Sequence, residues 1–236
     1  MIHQYAFNTS EIIRKKDICD LFDMLSEERK DRIRKFYFEK DKVHSIFVEI
    51  ILRYALWERY GLKDKDIIIQ KTQYGKPYLA NYKNIHFNLS HSGDWVLCGV
   101  GDSPIGIDVE QINDKDFSIA KKVFTKEESD YLFTQNENDK IRVFYNIWTL
   151  KESYIKNVGR GLSIPLKSFM FKFEGENIKI IIQGEENENY SFNMRKLDKR
   201  HYMALCVKGK LEYVINDNFT ILSLEKLLKW KDMMLV

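Results

Sequence analysis

Hydrophobic and polar positions recur along this chain with two periods, and each period marks its own elements. Alternation over Met1 to Phe7 predicts a first strand, and the spacing in Ile18 to Leu25 predicts a short helix. Ser26, followed by Glu27 and Glu28, is a good N-cap with an acidic first turn. Phe47, Ile50, Ile51, Tyr54 and Trp57 then lie at helical spacing up to Gly61. Ile67 to Ile69 reads as a β-branched strand, and Tyr74-Gly75-Lys76-Pro77 as a turn. Asn88 to Gly93 predicts a turn between strands, the second being Trp95 to Val100. In Ile105 to Glu110 the apolar Ile105, Ile107 and Val109 alternate with Gly106, Asp108 and Glu110, so one face is buried and the other carries both carboxylates. Thr125 to Glu128 is a capping box. Trp148 to Lys156 is helical in pattern and unbroken until Gly159. Antiparallel strands are expected over Ser168 to Ile182 and Tyr190 to Val207, and Ser223 opens a last amphipathic helix.

These elements come in two similar sets. Ser26-Glu27-Glu28, Asp41-Lys42-Val43 and Gly61 recur in order as Thr125-Lys126-Glu127, Asp139-Lys140-Ile141 and Gly159. Phe87-Asn88-Leu89 likewise resembles Phe192-Asn193-Met194. Two copies are too few for a solenoid. The expected fold is therefore α+β, a pseudo-twofold pair of halves, each a small antiparallel sheet packed with helices. The halves are expected at 1–104 and 105–236, joined at Gly101 to Pro104.

Composition narrows the class. A chain of 236 residues with 44% hydrophobic residues can bury a real core. The net charge of +3 is mild and is not a nucleic-acid footprint, so no nucleic-acid partner is expected. Cys19, Cys98 and Cys206 are odd in number and far apart, as in a reducing compartment. Met1 to Asp20 lacks a basic start followed by an apolar run, and no stretch has membrane-spanning length. A cytoplasmic monomer without a membrane partner is the expectation.

The candidate chemistry lies in two stretches. Two carboxylates at the spacing of Asp108 and Glu110 repel each other unless a cation sits between them. With Glu152 they make three oxygen donors, which suit magnesium, and the lysines flanking Glu152 would suit a phosphate. Taken alone, an Asp-x-Glu is more often a solvated pair, and Glu152 with Lys156 is an ordinary helical pair. Together, however, Ile105-Gly106-Ile107-Asp108-Val109-Glu110 and Trp148-Thr149-Leu150-Lys151-Glu152-Ser153-Tyr154-Ile155-Lys156 resemble the paired signature of the 4′-phosphopantetheinyl transferases of the Sfp-like class. The resemblance runs from about Ser26 to about Val207.

That resemblance implies a role for each matching residue. Asp108, Glu110 and Glu152 would hold Mg2+. Arg29, Arg32, His44 and Ser45 would face the 3′-phosphate of coenzyme A, with histidine and serine where arginine and threonine are familiar. Lys76 and Pro77 would lie against the adenine, and Ser90 and His91 would touch the same ligand. Lys151 and Lys156 would add charge at the pyrophosphate, and Glu152, or secondarily Glu128, would serve as the base. The implied reaction moves 4′-phosphopantetheine from coenzyme A to a serine of an apo acyl or peptidyl carrier protein, releasing adenosine 3′,5′-bisphosphate. Such enzymes are associated with nonribosomal peptide and polyketide synthesis. The carrier is expected to border Ile112 to Phe124. Two other readings stand beside it: a magnesium-dependent nuclease, and a non-catalytic coenzyme A binding module.

Overall fold

A computed structural model describes residues 1–12, 15–113, 117–175, 177–209 and 219–234. In chain order the strands and helices are β1 (Ile2–Asn8), α1 (Lys15–Phe22), α2 (Glu27–Arg34), α3 (Glu39–Tyr60), β2 (Ile69–Lys71), β3 (Pro77–Leu79), β4 (His86–Ser92), β5 (Trp95–Gly101), β6 (Ile105–Gln111), α4 (Ala120–Val123), α5 (Lys126–Phe133), α6 (Glu137–Val158), β7 (Phe169–Glu174), β8 (Asn177–Ile182), β9 (Glu185–Glu186), β10 (Tyr190–Asp198), β11 (His201–Lys208), β12 (Phe219–Leu222) and α7 (Leu224–Met234).

The two halves follow the repeat read in the sequence. The long helices α3 and α6 are each 22 residues. Each stops at a glycine with positive φ, Gly61 at 66° and Gly159 at 75°, a conformation that costs glycine nothing. Ser26 and Thr125 cap α2 and α5 through their side-chain oxygens. Sheet order is β12-β1-β5-β4 in the first half and β10-β11-β6 in the second. The two sheets press together through Ile2, Ala6, Leu97, Ile105, Ile107 and Leu205, all buried.

Three expectations change. The boundary at 105–236 does not hold for the chain's end: β12 pairs in parallel with β1, and Leu227 and Trp230 of α7 pack into the first half beside Tyr54 and Trp57. The first sheet is therefore mixed rather than antiparallel. Pairing over such a separation has no local signal. The turn expected at Asn88 to Gly93 is mostly strand, because β4 continues to Ser92 and only Gly93 and Asp94 turn. Likewise the short strand expected at Ile67 begins at Ile69, after a 3-10 turn at Asp64–Asp66.

Candidate functional site

The site is assembled where the two sheets meet. One edge of β6 pairs with β11, Asp108 opposite Ala204 and Glu110 opposite Tyr202. The other edge faces β4, whose side chains replace a backbone ladder. Asn88 Oδ1 accepts from Ile107 N at 2.9 Å, Ser90 Oγ from Val109 N at 3.3 Å, and Ser92 Oγ from Gln111 N at 3.0 Å. Alternate residues of one strand thus satisfy alternate amides of the other, as the period of two requires. The same serines donate to the acids: Ser90 to Asp108 at 3.1 Å and Ser92 to Glu110 at 3.4 Å.

Helix α6 lies across β6 at very short range. A Cβ at Gly106 would stand 1.9 Å from Ser153 O and 2.4 Å from Asn157 N, so only glycine fits. That approach brings Lys156 Nζ to 2.7 Å from Asp108 Oδ1 and 2.8 Å from Ser90 Oγ. Trp148 Nε1 donates to Glu110 Oε1 at 3.0 Å. Burial pushes Asp108 up to about 7; Lys156 opposes the shift, whereas Glu110 and Glu152 add to it. Glu152 is also raised, again by burial first and by Glu110, against Lys156. The buried Asp108 Oδ2 has no partner among the described residues. Nor do any three acidic, histidine or cysteine side chains stand close enough as placed to hold a metal ion, among the described residues. Asp108, Glu110 and Glu152 offer carboxylate oxygens, one of them buried and without a partner among the described residues, of the type a hard divalent cation could take.

A cleft of about 870 Å3 lies in the first half, between Arg29, Arg32, Ser45, Lys71, Pro77 and His91. A second hollow of about 300 Å3 lies between Lys76, Glu152, Lys156 and Leu162. The two share Gly75, Pro77 and Leu89 in their walls and so adjoin one another. Arg29 reaches Glu49 at 3.0 Å and Ser45 at 3.3 Å, so the cleft wall is already braced. His44 is buried, Nε2 donates to Gly93 O at 3.0 Å, and its ring packs 4.8 Å from that of His91. Burial lowers the pKa of His44. His91 keeps an exposed edge, yet desolvation of the rest of its ring, then His44 and Lys156, push it down to about 4.

Three expected ligands are otherwise engaged. Lys76 Nζ donates to Asn157 O at 2.7 Å and Ile105 O at 3.2 Å, and burial lowers it to about 8. Its ammonium clamps the turn to the end of α6, which leaves the backbone around Gly75 and Pro77 to line both hollows. Lys151 and Glu128 do not reach the cleft at all. Both are buried and paired at 2.8 Å; Lys151 also donates to Leu166 O and Phe169 O, and Glu128 accepts from Phe171 N and Thr125 N. These two expectations are corrected: the pair ties α5 and α6 to β7. The expected carrier border, Ile112 to Phe124, lies partly outside the described residues; within it Ala120 and Phe124 are buried and Ile119 is exposed. Sequence reasoning missed the polar ladder of β4 and the donor role of Trp148. The alternation Asn88, Ser90, Ser92 was the available signal for the first.

Comparison with known proteins gives two family matches, which divide between residues 101 and 104. Residues 14–101 match "4′-phosphopantetheinyl transferase, N-terminal", and residues 104–206 match "4′-phosphopantetheinyl transferase superfamily". The chain is 31% identical to the 4′-phosphopantetheinyl transferase Sfp of Bacillus subtilis, over 86% of this chain and 90% of that protein. It is 32% identical to the 4′-phosphopantetheinyl transferase ffp of Bacillus subtilis, also over 86% and 90%. It is 31% identical to the L-aminoadipate-semialdehyde dehydrogenase-phosphopantetheinyl transferase of Mus musculus, over 78% of this chain and 67% of that one.

Proposed function

This chain belongs to the 4′-phosphopantetheinyl transferase superfamily, and from that premise we propose that it moves phosphopantetheine from coenzyme A to a serine of an apo acyl or peptidyl carrier protein. The observation that carries the proposal is the pair of adjoining hollows, one walled by Arg29 and Arg32 and the other by Glu152 and Lys156. Together they touch both halves: the first is lined by residues of the first half alone, and the second adds Glu152, Lys156 and Leu162. One chain supplies both ends, so a monomer suffices.

In this reading the 3′-phosphate lies among Arg29, Arg32, Ser45 and His91, with His44 behind His91. The adenine lies on the backbone of Gly75 and Pro77. Lys156 faces the pyrophosphate, and Glu152, whose pKa burial raises, takes the proton of the carrier hydroxyl. The serine oxygen bonds to the phosphorus that bears pantetheine. The bond to the other phosphate breaks, and adenosine 3′,5′-bisphosphate leaves. Mg2+ held by Asp108, Glu110 and Glu152 would supply the charge that offsets the leaving phosphate. No covalent enzyme intermediate is needed, since the nucleophile belongs to the partner. Service to nonribosomal peptide or polyketide assembly, in the cytoplasm, is part of the proposal.

Neither the nuclease nor the binding-module reading has a counterpart among the three relatives. No helix among the described residues is long and apolar enough to cross a membrane. The test is intact-mass spectrometry of an apo carrier incubated with this protein, coenzyme A and Mg2+, with and without chelator. The expected result is a gain of one phosphopantetheine that the chelator abolishes. No gain on either acyl or peptidyl carriers, from protein that still binds coenzyme A, would leave only the binding module.

A further inference from the structure

We infer that Trp148 is a positioning residue for Glu110, fixing through its indole N–H the direction in which this carboxylate faces a cation. The inference rests on the transferase function already proposed. In the sequence Trp148 counts as an apolar position of α6. In the fold it stands one turn before Glu152 on the same face, and its Nε1 lies 3.0 Å from Glu110 Oε1.

The ring is half-buried and packed on one side. It stacks on Phe144 with centroids 6.1 Å apart and planes 10° apart, and Phe144 is itself buried against Phe124 and Tyr145. From the other side Ser92 Oγ, fixed by Gln111 N, donates weakly to Glu110 Oε2 at 3.4 Å. The carboxylate is thus addressed by three elements: β6, which carries it, β4, and α6.

The choice of donor has a chemical reason. An indole N–H can only donate, and it carries no charge. A lysine or arginine in its place would orient Glu110 but also neutralise it and compete with a cation. Each carboxylate oxygen has two acceptor directions, and each is used once here, so both oxygens keep one for a metal. Donors of this kind behind a ligating carboxylate commonly carry a 10–100-fold share of metal affinity.

Trp148→Phe keeps the stack and removes the N–H; benzothienylalanine at 148, with sulfur in place of N–H, keeps the full ring outline should the phenylalanine variant fold poorly. Mn2+ binding is read by electron paramagnetic resonance with adenosine 3′,5′-bisphosphate present, and Glu110→Gln runs beside it. We expect both Trp148 variants to weaken Mn2+ by about 10-fold or more. Half-saturating Mg2+ in the carrier assay should rise equally, kcat at saturating Mg2+ should largely recover, and metal-free bisphosphate affinity should not change. A packing role alone would move kcat or stability and leave the metal affinity in place. If Glu110→Gln weakens Mn2+ and neither Trp148 variant does, this inference is overturned and the proposed metal site stands. If Glu110→Gln itself leaves Mn2+ binding unchanged, Glu110 is not a ligand and both fall.

Discussion

Lys156 Nζ lies 2.7 Å from Asp108 Oδ1, and the other oxygen of that buried carboxylate has no partner among the described residues. The acid and the base come from different elements, β6 and α6, and from outside the first half altogether, yet Ser90 of β4 touches both. One carboxylate therefore meets a strand of each half and the long helix of the second. Burial is what keeps its pKa high, and Lys156 is the group that restrains it.

Removing that restraint has a direction. In Lys156→Met the Asp108 carboxyl loses its nearest cation, so its pKa should climb further above about 7. We expect the acid limb of kcat/KM against pH to move to higher pH. The rate at neutral pH should fall on the order of 10²-fold, as when one charge-stabilising donor is removed from a reacting site. A pH profile measured at a fixed, limiting Mg2+ concentration, where proton and metal compete for Asp108, checks it; an unmoved limb would separate Lys156 from Asp108 in function.

The contact of α6 with β6 allows a steric prediction. Gly106→Ala places a methyl group 1.9 Å from Ser153 O, and both partners are backbone. Overpacking of this kind costs about 1–3 kcal/mol even where the surroundings can yield. Here yielding means lifting α6, which carries Glu152 and Lys156, away from Asp108. Denaturation should show the lost stability, and the folded fraction should bind Mn2+ more weakly. A variant that unfolds earlier yet binds Mn2+ normally would show that the helix position does not matter to the acids.

The buried pair Lys151–Glu128 is expected to govern stability rather than turnover. Lys151→Met strands a buried carboxylate, and breaking such a pair on one side typically costs about 3–5 kcal/mol. Lys151→Met with Glu128→Gln should recover part of the loss, since no lone charge remains. Urea midpoints measure both, and coenzyme A affinity in the folded double variant should stay close to the parent. A large loss of kcat at unchanged stability would restore the catalytic role first expected of Glu128.

These residues also show what was legible in the sequence. Caps, the glycine stops and the two long helices follow from local rules, so Ser26, Gly61, Thr125 and Gly159 sit where the pattern puts them. The acidic pair on β6 follows from strand alternation. Lys151 and Lys156 show the limit. Five residues apart on a helix, they are turned about 140° from one another and cannot serve the same oxygens. The pattern separates their faces but does not say which one β7 covers. The ladder of Asn88, Ser90 and Ser92 was hidden for a different reason: Gly93 beside it suggests a turn, and its partners lie on a strand it does not pair with. The return of β12 and α7 to the first half depends on contacts that no local rule contains.

The two histidines of the cleft make the proposed phosphate site sensitive to protons. Both are held below the ordinary value of 6.5, His44 by burial and then Lys40, with the Gly93 carbonyl, Asp41 and Asp94 opposing, and His91 by burial, His44 and Lys156. In the free protein these two rings therefore bind fewer protons folded than unfolded. The contribution of these two rings to stability should be full above pH 6.5 and be lost as the pH drops below it, whereas the raised carboxyls of Asp108 and Glu152 act in the opposite sense. A phosphate dianion beside His91 acts in the opposite sense, favouring the charged imidazoles. Adenosine 3′,5′-bisphosphate should then bind with proton uptake, and more tightly as the pH falls from about 7.5 to about 6. Calorimetry in two buffers of different ionisation enthalpy gives the proton count directly. His44→Gln with His91→Gln should abolish the uptake and flatten the pH dependence while leaving the Arg29 wall in place. Proton release on binding, or uptake that survives the double substitution, would move the phosphate away from these rings.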